Sequence, residues 1–311
     1  MPVLLFKTEF ADPPPWKAAL QQNMPDLEVR LWPDIGDARD IEYALVWKPP
    51  ADLFDALPNL KVIFSLGAGL DHLLNGVRLP AGVPVVRMQD TALTEGMSEY
   101  TVYMALRHLR NMAVYEQQQN TRQWRQHLPQ LRASEVRAGV LGMGVIGSAV
   151  AGSLATMGFD VAGWSRTPKD VAAVQSFHAE DQLERFLARS DILVCVLPLT
   201  KATHGIINAA NMRKLPRGAY IINIGRGEHL VEQDLLESLA QGHLTGAALD
   251  VFQIEPLPDD HPFWTHPRIT LTPHCASVTN PFTASRHVAA NIRRTMRGQP
   301  LSNVADLARG Y

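Results

Sequence analysis

Val136-Arg-Ala-Gly-Val-Leu-Gly-Met-Gly-Val-Ile-Gly147 stands in the middle of the chain, and its reading decides the fold. A short apolar run enters Gly142-x-Gly144-x-x-Gly147, and residues 148–158 continue with a helical pattern. Glycines at this spacing permit a tight turn, let backbone N–H groups approach a pyrophosphate, and let a helix lie close on a strand. The spacing alone also fits a plain glycine-rich turn. The next apolar run, Phe159-Asp-Val-Ala-Gly-Trp164, completes a βαβ unit of the length that dinucleotide-binding folds use, and it favours a cofactor site. Gly142, Met143, Gly144, Val145, Ile146 and Gly147 are the first expected contacts.

The residue ending the second strand of such a unit discriminates between nicotinamide cofactors. A carboxylate there accepts hydrogen bonds from the ribose hydroxyls and repels a 2′-phosphate. This chain has Trp164-Ser165-Arg166-Thr167 instead, with Lys169 close behind. Arg166 can pair with a phosphate dianion through two parallel donors, and Ser165 and Thr167 can add hydroxyls. NADPH is the expected cofactor and NADH the weaker one. A solvated basic turn is the alternative reading of the same residues.

A chain of 311 residues has room for two domains with cores of their own, and 46% hydrophobic with 19% charged residues is ordinary for a soluble globular protein. The formal net charge of −2 gives no electrostatic case for a nucleic-acid or membrane partner, so a small-molecule substrate is expected. The opening residues lack the charged and long apolar regions of a signal peptide and read as a strand. Two cysteines make no disulfide framework: Cys195 sits in an apolar run, and a reducing cytoplasm is implied. Cys275 follows a histidine, which raises a nucleophile reading, but that histidine has a better-supported role.

Before the glycine motif, apolar runs recur at Val3-Leu-Leu-Phe6, Leu27-Glu-Val-Arg-Leu31, Tyr43-Ala-Leu-Val-Trp47, Lys61-Val-Ile-Phe-Ser65 and Val83-Pro-Val-Val-Arg87. Their alternation with helical or turn segments argues a first parallel α/β domain over residues 1–95. One long helix is expected over residues 94–119, followed by a polar, basic excursion over 120–132 whose Trp124 faces a partner or a core. Strands at 192–196, 219–224, 246–250 and 269–272 join the first two to make six, the number of a doubly wound Rossmann sheet. The last 30 or so residues, with a helix at 281–297, are too few for a domain. The expectation is a dinucleotide-binding domain over 96–281 and a smaller, discontinuous, flavodoxin-like α/β substrate domain over 1–95 and 282–311, with the active site in the cleft between them.

Three polar residues stand just past strands of the second domain, where open α/β sheets bind ligands. They are Arg226 in Asn223-Ile-Gly-Arg-Gly227, Glu255 in Asp250-Val-Phe-Gln-Ile-Glu-Pro256, and His274 in Thr272-Pro-His-Cys-Ala-Ser277. Singly, each has a plainer reading, as a surface arginine, a solvated glutamate and a strand-capping histidine. Reduction of a 2-keto acid needs hydride delivery to C2, a proton for the carbonyl oxygen and a grip on the carboxylate. Arg226 offers a planar cationic fork, His274 a proton donor, and Glu255 a partner for the other ring nitrogen. Reduction should then weaken as pH rises through the histidine titration. Leu66-Gly67-Ala68-Gly69, between a strand and a helix, can hold the substrate carboxylate on backbone N–H groups, or can be only a tight turn. Trp47 either walls a small substrate pocket or is core. His261 and His266, beside two aspartates, lack a strict ligand spacing and read as surface loop, not metal site.

Together and in this order, the Gly-Arg-Gly, Ala-Leu-Asp-Val-Phe…Glu-Pro-Leu-Pro and Thr-Pro-His-x-Ala segments resemble the D-isomer-specific 2-hydroxyacid dehydrogenases over nearly the whole chain. Ala44-Leu-Val-Trp-Lys-Pro-Pro50, Leu66-Gly-Ala-Gly-Leu-Asp71, Trp164-Ser-Arg-Thr167 and Ala308-Arg-Gly-Tyr311 resemble the bacterial glyoxylate/hydroxypyruvate reductase A subgroup. The resemblance implies reduction of glyoxylate to glycolate and hydroxypyruvate to D-glycerate, and a homodimer. It implies further cofactor contacts from Leu197, Pro198, Ile224, Arg226, Asp250, Ala276 and Ser277, with Asp250 readable instead as a strand-end cap. Glutamate at 255 argues against a formate dehydrogenase, which carries glutamine there. A dehydrogenase of larger 2-keto acids and a nucleotide-sensing corepressor remain the other readings, the latter disfavoured by the lack of a basic or disordered tail.

Overall fold

The computed structural model describes residues 1–9 and 12–309, and the chain divides into two compact units, Met1–Leu93 with Thr279–Tyr311, and Thr94–Val278. The first unit holds a five-stranded, all-parallel sheet of β1 (Val3–Lys7), β2 (Glu28–Leu31), β3 (Tyr43–Val46), β4 (Val62–Ser65) and β5 (Val85–Val86). Their order, β2-β1-β3-β4-β5, is that of flavodoxin-like sheets. Successive side chains go to opposite faces: Leu4 and Phe6 join one core, Val3 and Leu5 the other. Burial on both faces explains why these strands read as continuous apolar runs and not as alternation.

Helix α1 (Pro13–Asn23) opens on three prolines, whose missing N–H groups cost nothing in a first turn. It buries Trp16, Ala19 and Leu20, at i, i+3 and i+4, against the same face as Leu4 and Phe6. A helix from the end of the chain, Pro281–Met296, covers that face too, through Ala284, Val288, Ala289 and Ile292. Asn280 caps it by accepting from the Phe282 N–H at 2.9 Å. After β4 the chain makes only one turn of helix, α2 (Asp71–Leu74).

α3 (Thr91–Leu109) leads into the second unit, and α4 (Met112–Asn120) follows it. The single helix expected over 94–119 is therefore two. Asn111 breaks it by taking the left-handed conformation, φ 55°, which asparagine tolerates better than most residues. Trp124, in the stretch after α4, is fully exposed, so the core reading of that residue is wrong.

The second unit carries seven parallel strands and not the six expected: β6 (Arg137–Leu141), β7 (Asp160–Ser165), β8 (Val174–His178), β9 (Ile192–Cys195), β10 (Ala219–Asn223), β11 (Leu244–Leu249) and β12 (Ile269–Leu271). Their order, β12-β11-β10-β9-β6-β7-β8, is the doubly wound Rossmann order with one strand added beyond the sixth. The strand missed in the sequence is β8, an edge strand of which only Phe177 is buried. α5 (Val145–Thr156) packs Val150, Ala151 and Leu154 on the face shared with α3. The opposite face is covered by α6 (Leu183–Ala188), α7 (Ala209–Met212) and α8 (Glu232–Ala240).

Candidate active site

Because all seven strands of the second sheet run parallel, the loops that follow them emerge along one edge. The glycine loop follows β6, Ser165-Arg166-Thr167 closes β7, Leu197-Pro198 follows β9, Arg226 follows β10, Asp250 follows β11, and His274 follows β12. Sequence positions as far apart as Gly142 and His274 thus share an edge of one sheet.

In the glycine loop, Gly142 has φ +103°, which an L side chain rarely adopts, and a Cβ on Gly147 would stand 1.7 Å from the Gly142 carbonyl oxygen. Those two positions serve the close packing of α5 on β6. Gly144 differs, since a Cβ there would meet nothing within 4 Å. Met143 is buried against Gly163, so its backbone and not its side chain is offered to a ligand. Val145 is exposed at the helix start and Ile146 half-buried in the core. Arg166 and Thr167 are exposed, Ser165 donates to the Thr167 carbonyl at 2.7 Å, and no carboxylate ends β7. Trp164 instead ties β7 to the segment after β8, donating its indole N–H to the Ala179 carbonyl at 2.8 Å. Leu197, Ile224 and Ala276 are buried, Ser277 is half-buried, and Pro198 is exposed.

His274 Nδ1 lies 2.7 Å from Glu255 Oε2, and Glu255 Oε1 accepts from the Phe252 N–H at 3.0 Å. Burial alone would raise the Glu255 carboxyl, but the His274 and Phe252 hydrogen bonds, with the Arg226 charge nearby, hold it below its ordinary range. Arg226 is half-buried and folds one guanidinium N–H back onto the Gly225 carbonyl at 2.8 Å. A Cβ on Gly227 would stand 1.9 Å from the Phe252 carbonyl carbon, so only glycine lets the loops after β10 and β11 meet.

His274 itself has φ 53°, uncommon for a non-glycine residue, and the structure around it over-determines that conformation. Its N–H donates to the carbonyls of Asp250 and Thr272 at 2.9 and 3.0 Å. The Asp250 carboxylate, nearly fully buried, accepts from the Thr272 hydroxyl at 2.6 Å, the Cys275 N–H at 2.8 Å and the Ala276 N–H at 2.9 Å. Since the single Thr272 proton goes to Asp250, Tyr100 of α3, 2.7 Å from the same hydroxyl, is the donor to it. Burial still pushes the Asp250 carboxyl above its ordinary value. This arrangement is a cap on the His274 loop, which corresponds to the second reading of Asp250. The sequence offered no sign of Tyr100 or Thr272 as supports, because both act only through tertiary contact.

In the first unit, Trp47 directly follows β3 and packs against His72, the two rings tilted by 31° with centroids 4.1 Å apart. A Cβ on Gly67 would stand 2.4 Å from the Trp47 ring, so glycine is required where the indole crosses the turn after β4. Leu66 is buried, whereas Gly67, Ala68 and Gly69 are half-exposed. The carbonyls of Gly67 and Gly69 accept from the Ser65 hydroxyl at 2.8 and 3.2 Å. Cys195 is buried and its thiol is pushed up to about 12; burial and the Asp250 charge also raise the Cys275 thiol, which disfavours a nucleophile at either. Among the described residues, no group of three or more His, Cys, Asp or Glu side chains can hold a metal, and no helix is long and apolar enough to cross a membrane.

Comparison with known proteins agrees with this layout. A family model for the NAD binding domain of D-isomer specific 2-hydroxyacid dehydrogenases matches residues 102–276. A protein of Photorhabdus laumondii named glyoxylate/hydroxypyruvate reductase A is 45% identical over 313 residues, which cover 99% of each chain. A D-isomer specific 2-hydroxyacid dehydrogenase from Xanthobacter autotrophicus Py2, crystallised with NADPH and MES, has a TM-score of 0.95 at 43% identity, covering 100% of this chain and 99% of its own. An NADPH-dependent glyoxylate/hydroxypyruvate reductase from Sinorhizobium meliloti, crystallised with NADP and sulfate, gives 0.95 at 42% identity with 100% of both chains covered. On the sheet order, the glycine loop and these full-length matches, the chain belongs to the D-isomer specific 2-hydroxyacid dehydrogenase family.

Proposed function

We propose that this chain is an NADPH-dependent reductase of small 2-keto acids, converting glyoxylate to glycolate and hydroxypyruvate to D-glycerate. The observation that carries the reading is the 2.7 Å pair of His274 and Glu255 on the same sheet edge as Arg226 and the glycine loop. The loop fits a dinucleotide: Gly144 leaves open space where a side chain would stand, at the start of the twelve-residue helix α5, and β7 ends on Ser165, followed by the cation Arg166, where a carboxylate would repel a 2′-phosphate. Bound NADPH supplies the hydride.

The chain's own residues do the rest. Arg226 grips the substrate carboxylate and polarises the carbonyl. His274 delivers a proton from Nε2 to the carbonyl oxygen as C2 accepts the hydride, so the carbonyl becomes a hydroxyl with electrons and protons balanced. Glu255, held ionised, accepts from Nδ1 and fixes the orientation of the ring. Asp250 holds the loop that presents His274; by family resemblance Asp250 with Ala276 or Ser277 would face the carboxamide of a bound cofactor, Ile224 and Arg226 its nicotinamide ribose, and Leu197 and Pro198 its adenine and ribose. In the first unit, Trp47 and the Leu66–Gly69 turn are assigned to substrate. Free thiols at Cys195 and Cys275 support a reducing, cytoplasmic setting. The reading includes a homodimer, supported by the exposed Tyr103, Met112, Trp124 and Leu128 along α3, α4 and the stretch that follows.

The test is NADPH and NADH consumption by purified protein with glyoxylate, hydroxypyruvate, pyruvate and phenylpyruvate. Fast NADPH turnover on the first two supports the reading. Preference for phenylpyruvate would move the substrate class, and NADPH binding without turnover on any acid would favour a nucleotide sensor.

A further inference from the structure

Directly beneath the Arg226 loop lies an imidazole with no part in the chemistry above. His229 is fully buried at 0% exposure. Its Nδ1 is 3.0 Å from the Arg226 backbone nitrogen and its Nε2 is 3.3 Å from the Pro198 carbonyl oxygen. A backbone N–H only donates and a carbonyl only accepts. Nδ1 therefore carries no proton and Nε2 carries one, which fixes a single neutral tautomer bonded on both sides.

The rest of the loop is built around that ring. Asn223, also fully buried, donates from Nδ2 to the Arg226 carbonyl at 2.9 Å and accepts the Gly225 N–H at 3.2 Å. The Arg226 backbone is thus held at its N–H by His229 and at its carbonyl by Asn223. A Cβ on Gly225 would lie 2.9 Å from His229 Nδ1 and 3.3 Å from the Leu197 carbonyl, so the glycine leaves the space that the ring fills. An apolar side chain would satisfy packing there at less desolvation cost than an imidazole. The two hydrogen bonds are what the imidazole adds.

We propose that His229 is a positioning residue for the reduction. It sets the backbone from which Arg226 reaches the keto-acid carboxylate, and through the same ring it ties that backbone to the Pro198 loop on the cofactor side. The inference rests on the function proposed above, and it makes the substrate grip and the cofactor loop separable by chemistry at one position.

His229→Asn places an amide oxygen near the position of Nδ1 and gives up the bond to Pro198. His229→Gln reaches the position of Nε2 and gives up the bond to Arg226. With wild type in parallel, the Gln variant is expected to lose about tenfold or more in kcat/KM for glyoxylate, with its NADPH Kd within about threefold of wild type. The Asn variant is expected to recover most of the glyoxylate loss and to show the larger rise in NADPH Kd. Gly225→Ala, which crowds the ring from the Nδ1 side, should resemble the Gln variant. If all three variants lose glyoxylate and NADPH affinity together, in step with a lowered Tm, His229 is packing only and the inference is overturned. If wild type fails to reduce glyoxylate, the proposed function fails. The split is then read from oxalate and NADPH binding by titration, and an equal effect on both ligands overturns this inference as well.

Discussion

His274 Nδ1 and Glu255 Oε2 stand 2.7 Å apart across 19 residues of sequence, joining the loop after β12 to the loop after β11. The carboxyl that makes this bond is held below its ordinary range, so its side of the pair is ionised throughout the neutral region. A depressed carboxyl contributes its full stabilisation above the ordinary value of about 4.5 and loses it only as pH falls through the lower folded value. Glu255→Gln keeps the shape and removes the charge. It is expected to lower kcat for glyoxylate reduction by about 100-fold. A loss of less than about threefold, in steady-state assays near neutral pH, would remove Glu255 from the mechanism.

Arg166 tests the cofactor assignment. Placing a carboxylate after β7, as in Arg166→Asp, should raise the KM for NADPH by about 30-fold or more and leave that for NADH within about threefold. Parallel titrations of both cofactors decide it. An equal change in both would mean that Arg166 is a solvated surface residue.

The glycine loop separates folding from binding. A Cβ at Gly147 would meet backbone at 1.7 Å, whereas one at Gly144 would meet nothing within 4 Å. Gly147→Ala should therefore lower the Tm by several degrees, about 2 kcal/mol or more of overpacking. Gly144→Ala should leave the Tm within about a degree and weaken NADPH binding about tenfold, because the added methyl occupies the space left for the ligand. Calorimetry with fluorescence titration reads both. Unchanged NADPH affinity in Gly144→Ala would place the pyrophosphate elsewhere.

Acid should weaken the second unit through His108. Burial lowers this imidazole from 6.5 to about 4, where it stacks on Tyr220 with ring centroids 4.0 Å apart. Between those values the unfolded chain binds a proton that the folded chain does not, so stability is full above about pH 6.5 and declines as pH falls toward 4. The loss from this one group is at most about 3 kcal/mol. His108→Gln should flatten the fall in Tm between about pH 7 and pH 5. An unchanged slope would mean that other groups carry the acid sensitivity.

What the sequence disclosed was what chemistry demands locally. Gly142, Gly144 and Gly147 were legible because a tight turn and a phosphate impose the same spacing wherever they occur. Arg226, Glu255 and His274 were legible as residue types that keto-acid reduction needs, each just past an apolar strand. β8 escaped because an edge strand buries little and Val-Gln-Ser-Phe-His lacks an apolar run. The break at Asn111 escaped because neither proline nor glycine marks it. The support for His274 from Asp250, Thr272 and Tyr100, the contact of Trp47 with Gly67, and the clamp of His229 on Arg226 exist only once strands are adjacent. Conformations imposed by tertiary contact leave no periodicity to read.

The proposed reaction is hydride transfer to C2 with His274 as proton donor. The most direct measurement uses NADPH deuterated at both C4 positions, with glyoxylate, and follows the mass of the glycolate formed. The expected result is one deuterium on C2 of glycolate per NADPH consumed by wild type, and a rate about 100-fold lower or less in His274→Asn at unchanged NADPH affinity. Glycolate without label, or full activity in His274→Asn, would contradict it.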